Sequence, residues 1–312
     1  MSPSSHPSRL AFVAAFAAVY LVWGSTYLAI RVAVQSIPPF LMAATRFAVA
    51  GALLYAFLHF TRRIRPTARQ WRDNAIVGLF LMLGGNGLVC WAEQTVPSGI
   101  ATLLVSAGPL AVVLLEWGIR AADPQGKRGA RPTVPVWTGL ALGSAGLALL
   151  VGPDLARGTG GLTPLNVGAL IAATWLWSIG SLIGRYAAEP AEPFTASALQ
   201  MVTGSGWLFL GSLVAGEPAR FDLGAVTPAS AWAWLYLTLV GSLVGFTAFA
   251  WLMRHSTPAK VYTYTYVNPV VAVFLGWLLL DEHVDGRILL AATIAIAGVA
   301  TITVAKSRPA AK

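Results

Sequence analysis

An all-α polytopic membrane fold is predicted for this chain, with ten transmembrane helices in two inverted five-helix repeats around a central cavity. Three observations predict it: an apolar composition, a regular alternation of long apolar runs with short polar breaks, and a match between the two halves. Of 312 residues, 56% are hydrophobic and 11% charged, and the mean hydropathy is +0.68. Soluble domains carry about 25% charged residues. Apolar stretches of about 18–25 residues suit helices that cross a hydrocarbon core, where every backbone amide must be paired. Barrel strands would be about ten residues long with strict alternation, so these runs read as helices.

The ten spans fall at 10–32, 39–60, 72–92, 98–119, 134–151, 164–187, 194–215, 230–253, 258–280 and 286–305. The first resembles a cleaved leader, with Arg9 ahead of Ala15-Phe16-Ala17, but its apolar run continues to Val34 and predicts a retained span. The second follows two prolines and carries Arg46 at depth. The third contains Gly84-Gly85-Asn86-Gly87, whose glycines permit close packing or local unwinding. The fourth holds Thr102, Ser106 and Pro109 and ends at Glu116 and Arg120, four residues apart on one helix face. The fifth follows a basic loop and, with the sixth and eighth, carries glycines four apart (Gly139 and Gly143, Gly180 and Gly184, Gly241 and Gly245), read as packing seams. The seventh holds Gln200, and the tenth Gly298. The ninth contains YTYTYVNPVVAVFLGW, residues 262–277, where strand-like alternation lies inside a helix interrupted by Pro269.

Loop charge sets the orientation. Sixteen of the 21 Lys and Arg fall on the side of the N-terminus, in the tails and in loops such as Arg62 to Arg72 and Arg120 to Arg131. Arg31, Arg157, Arg220 and Arg287 fall on the other side. The positive-inside rule then makes both termini cytoplasmic and predicts a plasma-membrane protein. It also accounts for the basic balance without nucleic acid as a partner. Cys90 is the single cysteine, which excludes an internal disulfide and a multi-cysteine metal site. No metal or cofactor is expected.

The halves, 1–155 and 156–312, match in order. At an offset of 154, Trp23 falls on Trp177, Arg31 on Arg185, and Pro39-Phe40 on Pro193-Phe194. At 160, Trp91 falls on Trp251, Pro109 on Pro269 and Trp117 on Trp277; at 152, Gly146 falls on Gly298. Five spans is an odd number, so the second half is expected upside down relative to the first, the arrangement of many carriers.

These features, with WGSTYLAIR in span one, PPFLMAATRFAVAG in span two and VNPVVAVFLGWLLLDE in span nine, resemble the drug/metabolite transporter superfamily. The chain is similar to its EamA-type ten-helix exporters, a group that includes an exporter of aromatic amino acids. The resemblance implies a cavity lined mainly by spans one, three, four, six, eight and nine, with five and ten peripheral. It also implies a bacterial inner-membrane setting.

On a 3.6-residue wheel Tyr262, Tyr266, Pro269 and Val273 share a face, while Tyr264 and Asn268 lie towards the other. The mates of the first three are Thr102, Ser106 and Pro109, so both halves point a polar-then-proline stripe one way, expected to be the centre. Interfacial belt aromatics are the alternative for the tyrosines. Trp23, Tyr27, Trp91, Trp177, Ser181 and Trp251 are candidate cavity walls or belt residues, and Asn86 is a substrate ligand or an interhelical hydrogen-bonding group. Glu116 is expected to pair with Arg120, and Glu93 to be solvated at the outer mouth. Arg46 is either functional or snorkels outward.

A carrier for small organic metabolites is the function predicted, most naturally an exporter of amino acids, with drug or nucleoside-like solutes as the alternative. A membrane enzyme would need clustered His, Asp, Glu or Cys, and the four histidines are scattered at span ends. A channel or receptor fits the inverted repeat poorly. Expected partners are the small solute and the bilayer, with the oligomeric state left open.

Overall fold

The fold is that of a computed structural model, which describes residues 8–96, 98–123, 125, 128–156, 163–280 and 286–304. Its long helices are α1 (Arg9–Ala33), α2 (Pro39–Arg62) and α3 (Ala68–Ala92), then α4 (Ser98–Val105), α5 (Gly108–Ala122) and α6 (Val134–Ala156). They continue with α7 (Pro164–Tyr186), α8 (Pro193–Val214), the short α9 (Glu217–Arg220) and α10 (Pro228–His255). The short α11 (Pro258–Val261), α12 (Tyr264–Leu280) and α13 (Gly286–Val304) complete the order. Among the described residues, α1, α2, α3, α7 and α10 are long and apolar enough to cross a membrane.

Helix starts are written into the sequence. Thr67 and Gln70 form a capping box at α3, as Thr163 and Asn166 do at α7. Proline occupies the first turn of α2, α7, α8 and α10, where its missing N–H removes no helical bond. Glu217 caps α2 from outside that helix, accepting from Phe40 N at 3.2 Å and Leu41 N at 2.7 Å. The chain turns after α8 at Gly216, whose φ of 66° is costly for any other residue.

Two helix pairs form the frame: α2 with α8, and α6 with α13. Both meet at glycines. A Cβ at Gly51 would lie 2.8 Å from Val202 N, and one at Gly298 would lie 2.6 Å from Gly143 N. Small residues thus let backbones approach where lipid offers no hydrophobic drive for association. The end of α2 and the start of α3 are tied to the α7–α8 loop by polar contacts: Gln70 Nε2 to Pro190 O at 2.8 Å, Glu189 N to Asp73 Oδ2 at 3.0 Å, and Arg62 to Glu192 at 3.7 Å.

Two predicted spans are broken. Span four divides into α4 and α5 around Ser106-Ala107, just before Pro109, and span nine divides into α11 and α12 at Tyr262-Thr263. Three helices contain π-wound stretches: Ala18–Val22 in α1, Leu79–Gly87 in α3 and Leu237–Phe246 in α10. The last two overlap when shifted by 160 residues. π-Turns commonly mark functional positions, and here all three helices border the central cavity.

Candidate functional site

A small cavity lies at the centre, ringed by side chains from most of the long helices. Its lining comes from α1 (Trp23, Thr26, Tyr27, Ile30), α3 (Gly85, Asn86, Val89), the α4–α5 region (Val105, Gly108), α7 (Ala173, Thr174, Trp177) and α10 (Gly241, Phe246). Tyr262 and, from α12, Tyr264, Thr265 and Asn268 close the circle. Helix α2 adds Arg46 and Phe47, a contribution from span two that the family resemblance does not lead one to expect.

One wall is an aromatic cluster. Trp23 meets Trp177 edge-on at 5.5 Å, Tyr264 at 5.0 Å and Phe249 at 5.1 Å, and Trp177 meets Phe249 at 5.4 Å. Tyr262 is anchored through its hydroxyl to Ser181 Oγ at 2.9 Å, and Trp23 Nε1 donates to Gly241 O at 3.2 Å. Beyond this wall lies a second cavity, lined by Ser181, Phe249, Gln200, Arg185 and Arg254 among others. The aromatic layer therefore separates a central chamber from one beside the arginine-rich end.

Of the sequence-predicted residues, Trp23, Tyr27, Asn86, Trp177 and Tyr262 line the central cavity. Ser181 supports it through Tyr262. Trp91, Thr102, Ser106 and Tyr266 do not line it. Trp91 and Trp251 sit near helix ends, where Gln94 bonds to the Trp91 carbonyl and Trp251 stacks on His255. Thr102 Oγ1 donates to the Ser98 carbonyl at 2.5 Å. Ser106 Oγ lies 2.6 Å from Thr102 O and 2.7 Å from Thr265 O; Thr102 O already accepts from Ser106 N at 3.0 Å, so the hydroxyl's one proton is needed at Thr265 O. That carbonyl lies four residues before Pro269 and lacks its helical donor because proline has no N–H. Ser106 therefore mends a helix. Pro109 and Pro269 do interrupt regular winding, Pro109 in the first turn of α5 and Pro269 inside α12.

The ninth-span wheel is corrected. Tyr266 is buried against Gly143 of α6, where a Cβ would lie 2.7 Å from its ring. Tyr264 and Asn268, assigned to packing, line the cavity instead. The cause is local winding: the N–H groups of Thr263, Thr265 and Tyr266 donate to the carbonyls three residues back, of Lys260, Tyr262 and Thr263. Such a tightened turn shifts the phase that a uniform 3.6-residue wheel assumes. Val273 has no described side chain.

The charged groups also differ from expectation. Glu93, just past α3, is fully buried, and both carboxylate oxygens lack a partner. Burial pushes its carboxyl well above the usual range, against the pull of Arg31 and Arg46. Glu116 accepts from Tyr186 Oη at 2.7 Å, and no ion pair with Arg120 is present among the described residues. Arg46 does not snorkel: it is 3% exposed and its Nη2 donates to Asn86 Oδ1 at 2.5 Å.

Arg31 and Arg185, mates at offset 154, make related contacts at opposite ends. Arg31 donates to the Glu93 carbonyl where α3 ends. Arg185 donates to the carbonyls of Met253 and Ser256 where α10 ends. Met253 is the residue that the 160-residue offset pairs with Glu93.

The model of the EamA-like transporter family matches this chain twice, over residues 10–152 and 165–304. The chain belongs to the EamA-like transporter family. It is 35% identical over 294 residues to the uncharacterized inner membrane transporter YedA of Escherichia coli, covering 93% of this chain and 89% of YedA. It is 24% identical to the uncharacterized transporter YoaV of Bacillus subtilis, covering 93% and 96%. A crystal structure at 22% identity superposes with a TM-score of 0.74, covering 97% of this chain and all of the other, and so shares the fold. This EamA-type chain is therefore a membrane transporter, and the cavity is its candidate solute site.

Proposed function

We propose that this protein is a carrier that moves small organic metabolites, amino acids foremost, out of the cell by alternating access of two inverted five-helix halves, 1–155 and 156–312. Ten spans cross a bacterial inner membrane with both termini in the cytoplasm. The observation that carries the reading is the pair of arginine ties. Arg31 and Arg185 stand at equivalent places in the two halves and fasten equivalent helix ends at opposite poles. Two inverted repeats produce that relation naturally, and the family model's two separate matches support it.

In this arrangement the aromatic layer closes the central chamber towards the arginine-rich pole. Breaking the Arg185 tie and parting Trp177 from Phe249 would join the two chambers. Arg31 would do the corresponding work at the other pole. An amino acid fits the cavity chemistry: aromatic walls for an apolar side chain, with Asn86, Thr174 and Asn268 for the polar end.

The test is counterflow in proteoliposomes, with labelled amino acids, nucleosides and cationic dyes as solutes. Accumulation of a labelled amino acid driven by the same unlabelled solute inside is expected, because alternating access exchanges solute across the membrane. Downhill leakage with no such stimulation would point to a channel and defeat the proposal.

A further inference from the structure

Arg46 sits two turns inside a membrane-spanning helix, Pro39–Arg62, and lines the central cavity. A guanidinium is costly to bury without a counter-charge. Among the described residues no carboxylate lies within ion-pair distance of it. Its Nη2 reaches Asn86, its ring neighbour is Phe47 at 4.5 Å, and its Nε is buried without a partner. Across the same cavity Asn268 is fully buried beside the Tyr27 hydroxyl, and neither its amide nitrogen nor its oxygen makes a hydrogen bond of good geometry. Buried polar groups are normally satisfied. Here Arg46, Trp177 and Asn268, which all line one chamber, carry buried polar atoms without a hydrogen bond of good geometry.

The scaffold does not itself need the charge. Gln200, the residue that the 154-residue offset pairs with Arg46, is neutral, and its Nε2 is satisfied by Asn74 Oδ1 at 2.8 Å. Arg46 is also the one charged side chain among the described lining residues. Glu93, the buried carboxyl whose field reaches Arg46, lies outside the lining, so within the chamber the guanidinium's charge favours an anionic ligand and opposes a cationic one. The planar fork of a guanidinium is suited to a carboxylate.

We propose that Arg46 anchors a carboxylate on the transported solute, with Asn268 as a second polar contact and Trp23, Trp177 and Tyr264 packing on the solute's apolar body. This rests on the carrier reading and narrows it: the substrates are organic carboxylates or zwitterions with an apolar side chain, and not cationic amines. Asn86 acts as a positioning residue by fixing the guanidinium.

The experiment measures binding to the purified full chain of four probes with one apolar body: L-phenylalanine, 3-phenylpropionate, L-phenylalaninamide and 2-phenylethylamine. The two carboxylates are expected to bind at least about tenfold more tightly than the amide and the amine, the scale of one charge-assisted contact. Arg46→Gln should remove that preference, and Arg46→Lys should keep part of it. An amide or amine that binds wild type as tightly as its acid would overturn the proposal, as would the absence of binding by either carboxylate. Retained preference in Arg46→Gln would overturn it too. The wild-type comparison needs no variant, so a misfolded Arg46→Gln leaves the question decidable. Counterflow separates the two levels: exchange of the amine alone keeps the carrier and sinks the carboxylate site, whereas carboxylate binding without exchange does the reverse.

Discussion

Ser106 offers a quantitative check on how this fold tolerates a proline inside α12. Pro269 has no N–H to give to the Thr265 carbonyl, and the Ser106 hydroxyl supplies the missing donor at 2.7 Å from the α4–α5 break. Ser106→Ala leaves that buried carbonyl unpaired, which costs about 1–3 kcal/mol. At about 2 °C per kcal/mol for a chain of this size, the melting midpoint in detergent should fall by roughly 2–6 °C. Pro269→Ala restores a backbone donor to the same carbonyl, so in that background Ser106→Ala should cost much less. The coupling between the two sites should reach about 1 kcal/mol or more, as is usual for groups that share a partner. The assay is a thermal melt of wild type, both single variants and the double variant under one condition. Additive losses, with Ser106→Ala as damaging in the Pro269→Ala background as in wild type, would refute the reasoning.

Two more expectations follow from the corrected positions. In a Cys90→Ala background, Tyr264→Cys should react with a small water-soluble thiol reagent through the cavity and Tyr266→Cys should be protected by Gly143; labelling of the second alone would restore the simple helical wheel. Glu93 has a raised pKa when folded, so the folded state holds a proton that the unfolded state releases, and stability falls as pH rises above the ordinary carboxylate value. Glu93→Gln should therefore raise the melting midpoint at pH 8 and change it little near pH 4, and equal effects at both would remove burial as the cause.

Much of the helical layout was legible because hydropathy and proline-led starts act locally. The cavity lining was legible where repeat and aromatic content coincided, at Trp23 and Trp177, whose rings meet beside it. The ninth span was misread because i→i+3 winding at 262–266 is a tertiary outcome that a fixed period cannot express. Ser106 was misread for a related reason: its polar character serves a carbonyl 159 residues away, and a stripe of polar residues looks the same whether it faces solute or backbone. Asn268 could have been found, since an asparagine beside a mid-span proline is an unusual group to bury. Glu93 could not, because its burial depends on the ends of α1 and α3 meeting.

The claim that the two poles open in alternation is tested most directly by paired distance measurements. Spin labels at Gln35 and Gln94 report the pole fastened by Arg31, and labels at Ala187 and His255 report the pole fastened by Arg185; all four positions are exposed. Arg31→Gln should lengthen the 35–94 distance while the 187–255 distance stays short, and Arg185→Gln should do the opposite. Both distances lengthening together in either variant would contradict alternating access.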